Sequence, residues 1–466
     1  MIVRNRHFGF NQLAVEFVLL NLAVLLILYL NSSGFTTYAD NQLLFVDSVR
    51  LGLIFNLSWA IIVLYSENSK SDLAVNLKRQ LRNIVFNTFI LVGITYTLAT
   101  VFNVDYFLRT TFLLPIFLFS FLNLSIVSFF FEYKKRKGQS AFNSNIIVVG
   151  TQKKPKKALK FARKIQERGY NLVGVVDNKE GMAFQGPQHL GKVGQLSQIL
   201  EQNSVDEIFI TLASLKKDEI KQAIDVADYH GVRVNLVSKT PGYISGKYKS
   251  YTFDELPVFK LRETPLDKFN NYLMKKIFDV LFSATVLILL SPVFLLIALL
   301  IYIDNRGPIF YKPMRKGEGG ESFQCYKFRT MSVCDDPVNG TKSTVKDDPR
   351  ITRIGKYLRK YDLDELPQFI NVLKGDMSVV GPRPHRTNLQ SDFRKIVNNY
   401  MVRHYVKPGI TGWAQVNGWR GPTVTMEQKQ KRVQFDLWYI ENWSFFLDVR
   451  IVFLTVFSKK TRKNAF

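Results

Sequence analysis

The sequence predicts a membrane protein with three parts: an α-helical bundle of four transmembrane helices, a Rossmann-like α/β module, and a C-terminal α+β domain that includes a re-entrant membrane helix. Four apolar stretches precede residue 134, strands alternate with helices between residues 145 and 237, and a fifth apolar run carries a proline at its centre. The boundaries that we predict are residues 1–137 for the bundle, 138–240 for the module, 241–264 for a linker, and 265–466 for the C-terminal domain.

The four apolar stretches each approach the roughly 20 residues that a helix needs to cross a bilayer core. They cover residues 13–30, 44–65, 84–102 and 111–131. Polar side chains inside them, such as Asn56, Thr88 and Asn123, are expected to face neighbouring helices. Lys and Arg concentrate before the first stretch, between the second and third, and after the fourth. The positive-inside rule therefore places the N-terminus and residue 134 in the cytoplasm, and it disfavours the alternative of buried helices in a soluble protein.

The composition narrows the choice of partners. The 466-residue chain contains 63 Lys and Arg against 38 Asp and Glu, a formal net charge of +25, which suits an anionic partner. The apolar stretches favour a membrane surface or phosphorylated substrates over nucleic acid, and no nucleic-acid-binding module is recognisable. Cys325 and Cys334 are the only cysteines and form no CxxC pair, so the sequence predicts neither a disulfide framework nor a zinc site.

The fifth apolar run, residues 277–303, is predicted to enter and leave the membrane on the same side. Pro292 at its centre removes a helix hydrogen bond, and the adjacent Ser291 can bond a backbone group that the break leaves free. Lys and Arg flank both ends of the run, so a spanning helix would put one of these clusters on the disfavoured side. A full span that is only kinked at Pro292 remains the alternative.

The residues between 145 and 237 predict a small parallel α/β module. Strands are expected at 145–150, 172–176, 206–212 and 232–237, and helices at 156–169 and 218–231. A dinucleotide-binding loop would show G-x-G-x-x-G after the first strand, but the sequence from Gly150 to Pro155 contains a single glycine. A structural or regulatory module is therefore favoured, and cofactor binding stays open.

A pair of acidic residues near the start of a predicted helix is the main candidate for chemistry. Asp364 is predicted to be the N-cap of a helix that tolerates Pro367 in its first turn and ends before Gly375. A helix start collects free N–H groups and the positive end of the dipole, which keep a carboxylate ionised and attract phosphate. An ionised Asp364 could attack phosphorus, and Glu365 beside it could share one Mg²⁺ ion that neutralises a diphosphate. The pair could also serve only as a helix cap.

Four basic residues are candidates for binding phosphate. Lys327 and Arg329 follow a predicted strand at 322–326, Arg359 lies five residues before Asp364, and Arg383 lies between two prolines that stiffen its loop. Arginine is suited to bidentate contact with phosphate oxygens. Each of the four could instead be a solvated surface charge.

These residues belong to an ordered set of motifs over residues 265–466 that resembles the bacterial sugar transferases, the monotopic phosphoglycosyl transferases that start polysaccharide assembly. The set includes Lys275-Lys276-Ile277-Phe278-Asp279, Ser291-Pro292, Lys327-Phe328-Arg329-Thr330-Met331, Leu363-Asp364-Glu365-Leu366-Pro367-Gln368, Gly381-Pro382-Arg383-Pro384 and Lys407-Pro408-Gly409-Ile410-Thr411-Gly412-Trp413. With its spans and α/β module, the chain is similar to the long form of this family, the undecaprenyl-phosphate glucose phosphotransferases. It departs from the family at Lys276, where arginine is usual, and at Tyr361-Asp362, where small polar residues are more common.

The resemblance implies a multi-pass protein of the bacterial inner membrane with a cytosolic α+β catalytic domain. Asp364 would attack the sugar-bearing phosphate of a UDP-sugar, UMP would leave, and undecaprenyl phosphate would take the sugar-1-phosphate from the phospho-Asp intermediate. Glu365 would assist Asp364 in binding Mg²⁺, and Ser291-Pro292 would break the re-entrant helix. Glucose is the expected sugar, although galactose or an N-acetylated sugar stays open, as does a homodimer. Substrate contacts would come from Lys327, Arg329, Arg359, Gln368, Arg383 and Pro384.

Two other classes of function remain open on sequence grounds. A membrane-bound nucleotide-sugar dehydratase or epimerase would need a Gly-rich loop beside a Tyr-x-x-x-Lys pair. Tyr243 with Lys247 and Tyr272 with Lys276 match that spacing, but no Gly-rich loop accompanies them. A lipid transporter or membrane scaffold would not release UMP from a UDP-sugar.

Overall fold

The computed structural model describes residues 15–26, 29, 38–65, 77–102, 109–136, 145–150, 170–178, 188–212, 215–238, 249–253, 256–332, 348–386, 393–394, 397, 399–421 and 425–458. The chain divides into two compact units. The first comprises residues 1–147, 154–174 and 183–188, and the second comprises 148–153, 175–182 and 189–466.

The described part of the first unit contains the apolar helices α1 (Val15–Leu26), α2 (Tyr38–Tyr65), α3 (Leu77–Val101) and α4 (Arg109–Arg136). Asn56 of α2 exchanges amide hydrogen bonds of 2.9 Å with Asn21 of α1, and Thr88 of α3 bonds Ser120 of α4 at 2.8 Å. The prediction that Asn56 and Thr88 face neighbouring helices is therefore confirmed. Large apolar side chains such as Phe89 remain exposed on these helices, which suits contact with lipid.

Two of these helices are long and apolar enough to cross a membrane, over Leu81–Val101 and Phe112–Phe129. The apolar stretches described for the other two are shorter, Val15–Leu26 and Val49–Val63. Membrane-length helices are thus confirmed for α3 and α4, and the count of four spans stays a prediction.

A seven-stranded sheet forms the α/β module. Its strands are β1 (Asn145–Val149), β2 (Asn171–Val176), β3 (His189–Gly191), β4 (Glu207–Thr211), β5 (Arg233–Val237), β6 (Lys249–Phe253) and β7 (Leu256–Lys260), in the order β3-β2-β1-β4-β5-β7-β6. The β4–β5 pair is parallel, as predicted, and β2 also pairs in parallel with β3, a strand that the sequence did not predict. Helix α5 (Leu196–Gln202) precedes β4, and α6 (Lys217–His230) connects β4 to β5. The helix predicted at 156–169 lies outside the described residues.

The residues that the sequence assigned to a linker, 241–264, instead contribute β6 and β7 to this sheet. Strand β7 pairs antiparallel with β5 and places Phe259 opposite Leu236, and β6 pairs with β7 at the edge. Val258 and Phe259 are buried. Burial of these side chains outweighs the turn-forming composition that suggested a linker.

Gly150, which follows β1, has a packing role. Its backbone is left-handed (φ 83°), and a Cβ at this position would lie 2.8 Å from the Leu215 side chain. The glycine therefore makes room for an apolar neighbour, which favours the interpretation of this turn as structural.

Residues 269–304 form the broken helix that the sequence predicts. Helices α7 (Phe269–Leu289) and α8 (Ser291–Asp304) meet at a bend of 61°. Pro292 lies in the first turn of α8, and the Ser291 hydroxyl donates to the carbonyl of Ile288 at 2.8 Å. Ser291 thus re-bonds a backbone group at the break, as predicted. The direction in which α8 leaves the membrane stays a prediction.

Buried polar contacts fix the start of α7 to the C-terminal domain. Lys275 donates to Asp448 at 2.6 Å and to the carbonyl of Val380 at 2.9 Å. Asp279 accepts hydrogen bonds from the Ser378 hydroxyl at 2.9 Å and the Val379 N–H at 3.0 Å. The Lys-Lys-x-x-Asp motif therefore ties the broken helix to the strand at residues 378–380.

The C-terminal domain surrounds an apolar core to which Val372, Val380, Tyr439, Ile440 and Ile451 contribute fully buried side chains. Its short strands are β8 (Phe310–Tyr311), β9 (Met314–Lys316), β10 (Ser322–Gln324), β11 (Lys327–Phe328), β12 (Ser378–Val380) and β13 (Gly409–Thr411). Its helices after α8 are α9 (Arg353–Lys360), α10 (Gln368–Lys374), α11 (Trp413–Val416), α12 (Met426–Glu441) and α13 (Phe445–Phe457).

The end of α6 and the start of β5 contact the C-terminal domain. Arg233 forms an ion pair with Asp267 at 3.1 Å, and its guanidinium lies 4.4 Å from the centre of the Tyr405 ring. Arg394 donates to the carbonyl of Tyr229 at 2.6 Å. These contacts join the C-terminal domain to this edge of the module.

Candidate active site

The acidic pair lies in a tight turn between α9 and α10. Asp362 adopts a left-handed conformation (φ 57°) and its carboxylate accepts a hydrogen bond from Arg420. Leu363–Glu365 then form a 3₁₀ turn, and both Asp364 and Glu365 are buried. The sequence predicted Asp364 as the helix N-cap, but α10 begins later, with Pro367 at its N-cap. The N–H groups of Glu365 and Leu366 bond the carbonyls of Asp362 and Leu363, three residues back, so this segment is a 3₁₀ turn and the α-helix starts only after it.

Glu365 is held by two cations. Lys327 donates to it at 2.6 Å, and Arg383 makes a two-pronged contact of 2.6 and 3.0 Å. Burial alone would raise the pKa of Glu365, but the charges of Arg383 and Lys327 outweigh burial and hold it well below its ordinary value. Glu365 is therefore ionised, and it orients Lys327 and Arg383.

Asp364 has a different environment. The hydrogen bonds of Lys327 and Arg383 go to Glu365 and not to Asp364. Burial raises the pKa of Asp364 to about 6, and the charge of Glu365 adds to this effect, against the opposing charges of Lys327 and Arg359. The helix-start environment expected to keep it strongly acidic is absent because α10 begins beyond it. Asp364 is consequently a poorly solvated carboxylate, ionised above pH 6, that can act as a nucleophile.

Two of the predicted phosphate ligands have structural partners. Arg359 donates to the Thr330 hydroxyl at 2.8 Å, although its charge still acts on Asp364. Arg329 is buried and donates to the carbonyls of Asn305 and Arg306 at the end of α8. The structure therefore leaves Arg359 beside the acidic pair and commits Arg329 to capping a helix.

The other predicted binding residues line one cavity of about 140 Å³ next to Glu365. They are Lys327, Gln368, Arg383 and Pro384, and the sequence analysis missed the remaining lining residues, Arg315, Cys325, His385, Arg386 and Arg432. These missed arginines lie in charged stretches of sequence that resemble any solvated surface. No local pattern distinguishes them, because tertiary folding alone brings them together.

The loop that carries Arg383 is held tightly between β12 and β13. These strands are parallel, and a Cβ on Gly381 would lie 2.5 Å from the carbonyl oxygen of Lys407. Arg403 donates to the carbonyl of Arg383 at 2.7 Å and to Asp436 at 2.8 Å. Only glycine fits this crossing, so Arg383 reaches Glu365 from a rigid support.

The acidic pair fits a Mg²⁺ site only in part. Within the described residues, no group of three or more His, Cys, Asp or Glu side chains is arranged to hold a metal. Mg²⁺ is commonly held by one or two carboxylates, with phosphates and water as the other ligands, and Asp364 suits that role. Both oxygens of Glu365 are occupied by Lys327 and Arg383, so the predicted second ligand does not fit in this arrangement.

The comparisons with known proteins agree with this architecture. Residues 270–462 match a family described as bacterial sugar transferase, and residues 67–238 match one described as a CoA-binding domain. The chain is 38% identical over 326 residues to the UDP-glucose:undecaprenyl-phosphate glucose-1-phosphate transferase of Xanthomonas campestris pv. campestris, covering 69% of this chain and 67% of that protein. A protein of the same name from Escherichia coli (strain K12) is 38% identical over 299 residues, 64% of each chain.

A shorter relative matches the C-terminal domain in size. The exopolysaccharide production protein PSS of Rhizobium leguminosarum bv. phaseoli is 44% identical over 198 residues, which cover 41% of this chain and 98% of that protein. The matches to the two longer relatives span about two thirds of their lengths. The ordered motifs, the buried acidic pair and these similarities agree, and the chain therefore belongs to the bacterial sugar transferase family and is an enzyme of that family.

Proposed function

We propose that this enzyme transfers a sugar-1-phosphate from a UDP-sugar to undecaprenyl phosphate and releases UMP. The observation that carries the proposal is the buried carboxylate of Asp364 beside Glu365, whose charge Lys327 and Arg383 neutralise. Such a pair supplies one nucleophile and a positively charged surface for phosphate. The product would enter exopolysaccharide, capsule or O-antigen synthesis at its first membrane step.

Glucose is the sugar that we propose. The Xanthomonas and Escherichia relatives are both named for UDP-glucose. A relative from Aeromonas hydrophila, 37% identical over 228 residues, is named for UDP-N-acetylgalactosamine. The choice of sugar therefore needs a direct comparison of UDP-sugars.

The reaction that we propose has two displacements at the same phosphorus. An Asp364 oxygen attacks the phosphorus that bears the sugar, and the bond to the bridging oxygen breaks so that UMP leaves with that oxygen. A phosphate oxygen of the lipid then attacks the phospho-Asp intermediate, and the bond between Asp364 and phosphorus breaks. The Asp364 carboxylate is regenerated, and polyprenyl-diphospho-sugar is formed. Lys327 and Arg383 stabilise the negative charge on the phosphates throughout.

A Mg²⁺ ion held by Asp364 and substrate phosphates is part of the proposal, and when bound it would neutralise charge on the diphosphate. Excess EDTA is expected to stop UMP release, and added Mg²⁺ is expected to restore it. Full activity in excess EDTA would show that the reaction does not need a divalent metal ion.

We also propose that α7 and α8 form a re-entrant segment, which leaves the active site on the cytosolic side. The bend of 61° and the Ser291 hydrogen bond support this path, since they lower the cost of breaking a helix in the membrane. UDP-sugars are cytosolic, and a spanning segment would carry Asp364 to the other side.

The central test is UMP release by Asp364→Asn across a panel of UDP-sugars with undecaprenyl phosphate. Asn keeps the size of the side chain and removes its nucleophilic charge, so UMP release is expected to be lost. Asp362→Asn, in the same turn, is the matched control. Asn tolerates the left-handed backbone of residue 362, and this variant should retain most activity. UMP release near the wild-type rate in the Asp364→Asn protein would show that Asp364 is not the nucleophile.

A further inference from the structure

The cavity beside Glu365 carries more positive charge than the described carboxylates compensate. Its lining includes Arg315, Lys327, Arg383, Arg386 and Arg432. Lys327 and Arg383 share the single carboxylate of Glu365. The cavity therefore has the charge of an anion-binding site, and two of its cations are bonded to Glu365, the residue next to the nucleophile.

Arg315 and Arg432 are two cations of this cavity for which burial outweighs the nearby carboxylates. Within the described residues, neither forms an ion pair, and Arg432 donates instead to the carbonyls of Trp419 at 2.9 Å and Gly421 at 2.5 Å. Burial lowers the pKa of each guanidinium to about 10. Asp436 compensates part of the charge of Arg432, and Glu365 part of that of Arg315, but burial outweighs both. A dianion in the cavity would offset the remaining cost of desolvation.

The size of the cavity limits what it can hold. Its volume is about 140 Å³, whereas sites that enclose a whole drug-sized ligand occupy roughly 300–1,000 Å³. A phosphate group fits such a space, and the nucleoside or polyprenyl chain attached to it would extend beyond the cavity. The two substrates of the proposed reaction share this chemical group and differ in everything attached to it.

We infer that this cavity is a single phosphate subsite that the UMP phosphate and the lipid phosphate occupy in turn, with Arg315 and Arg432 as its ligands. The inference rests on the proposed function, in which Asp364 is the only nucleophile. Displacement at phosphorus places the attacking and leaving oxygens in line. UMP therefore leaves opposite Asp364, and the lipid phosphate must enter opposite Asp364. Both phosphates then need the same position.

Product inhibition of the wild-type enzyme tests the shared subsite without any substitution. If one subsite serves both phosphates, UMP competes with undecaprenyl phosphate and is noncompetitive with the UDP-sugar. If two subsites exist, UMP competes with the UDP-sugar instead, and this pattern would overturn the inference. Absence of UMP release from any UDP-sugar would instead refute the proposed function, so the two failures are distinguishable.

Substitution of the two arginines tests their assignment. Arg315→Gln and Arg432→Gln are each expected to raise the inhibition constant of UMP and the KM for undecaprenyl phosphate by a similar factor, about tenfold. Lys431→Gln is the matched control, because it removes the same charge from an exposed neighbour on α12. A rise in only one of the two constants, or an equal rise in the Lys431→Gln variant, would contradict the assignment. Thermal unfolding of each variant identifies any variant that fails to fold. In that case the product-inhibition pattern of the wild-type enzyme decides whether the subsite is shared.

Discussion

Lowering the pH is expected to switch off the first half-reaction, because Asp364 must be ionised to attack phosphorus. Burial raises the pKa of Asp364 from 3.8 to about 6, which corresponds to ~3 kcal/mol against ionisation. A group with this pKa is roughly half ionised at pH 6 and roughly a tenth ionised at pH 5. The rate of UMP release should therefore fall to about a half of its plateau value at pH 6 and to about a tenth at pH 5. An ordinary aspartate would remain ionised across this range.

The assay is a single-turnover measurement of UMP release without lipid acceptor, so that titration of the acceptor phosphate does not contribute. Glu365→Gln removes a negative charge beside Asp364 and frees Lys327 and Arg383 to act on it, which lowers the pKa of Asp364. The acid limb of this variant should therefore move to lower pH, even if its maximum rate falls. A wild-type rate that is flat from pH 7 to pH 5, with the fold intact, would refute this reasoning.

Three further predictions concern stability, domain autonomy and topology. Lys275→Met leaves the buried Asp448 without its cation and should destabilise the protein by about 3 kcal/mol; a melting temperature equal to that of the exposed control Lys268→Met would contradict this. A truncated protein that starts near Leu266 should retain UMP release but melt at a lower temperature, and an ordered, inactive truncate would show that the N-terminal part completes the site. Single cysteines at positions 268 and 312, with both native cysteines replaced by serine, should resist an impermeant thiol reagent added to intact cells. Labelling of only one of them from outside would show that the segment between them spans the membrane.

Two observations bear on the truncated protein, one on its activity and one on its stability. The Rhizobium relative is matched over 98% of its length by 198 residues of this chain, so a protein of that size exists by itself. The ion pair between Arg233 and Asp267 and the packing of Arg233 on Tyr405 would nevertheless be lost on truncation. The truncated protein is therefore expected to retain UMP release while losing thermal stability.

Features that depend on local chemistry were predictable from the sequence. Pro292 removes a backbone donor at the break, and the Ser291 hydroxyl bonds the carbonyl of Ile288 from the adjacent position. Gly375 ends α10 in the left-handed conformation that the pattern indicates, with φ 89°. The N-cap position of Asp364 was predicted incorrectly, because a three-residue 3₁₀ turn and an α-helix start share the same local composition.

The sequence by itself indicated the apolar helices, the alternating α/β pattern, the break in the membrane helix and the acidic pair, with Lys327 and Arg383 as candidate phosphate-binding residues. Tertiary structure alone decided which carboxylate is free and which is paired, because Lys327 and Arg383 come from different strands and loops. It also committed Arg329 to a helix end and brought Arg315 and Arg432 into one cavity. The physical reason is that the residue type determines whether a side chain can carry a charge, whereas its burial and its partners arise only when distant segments pack together.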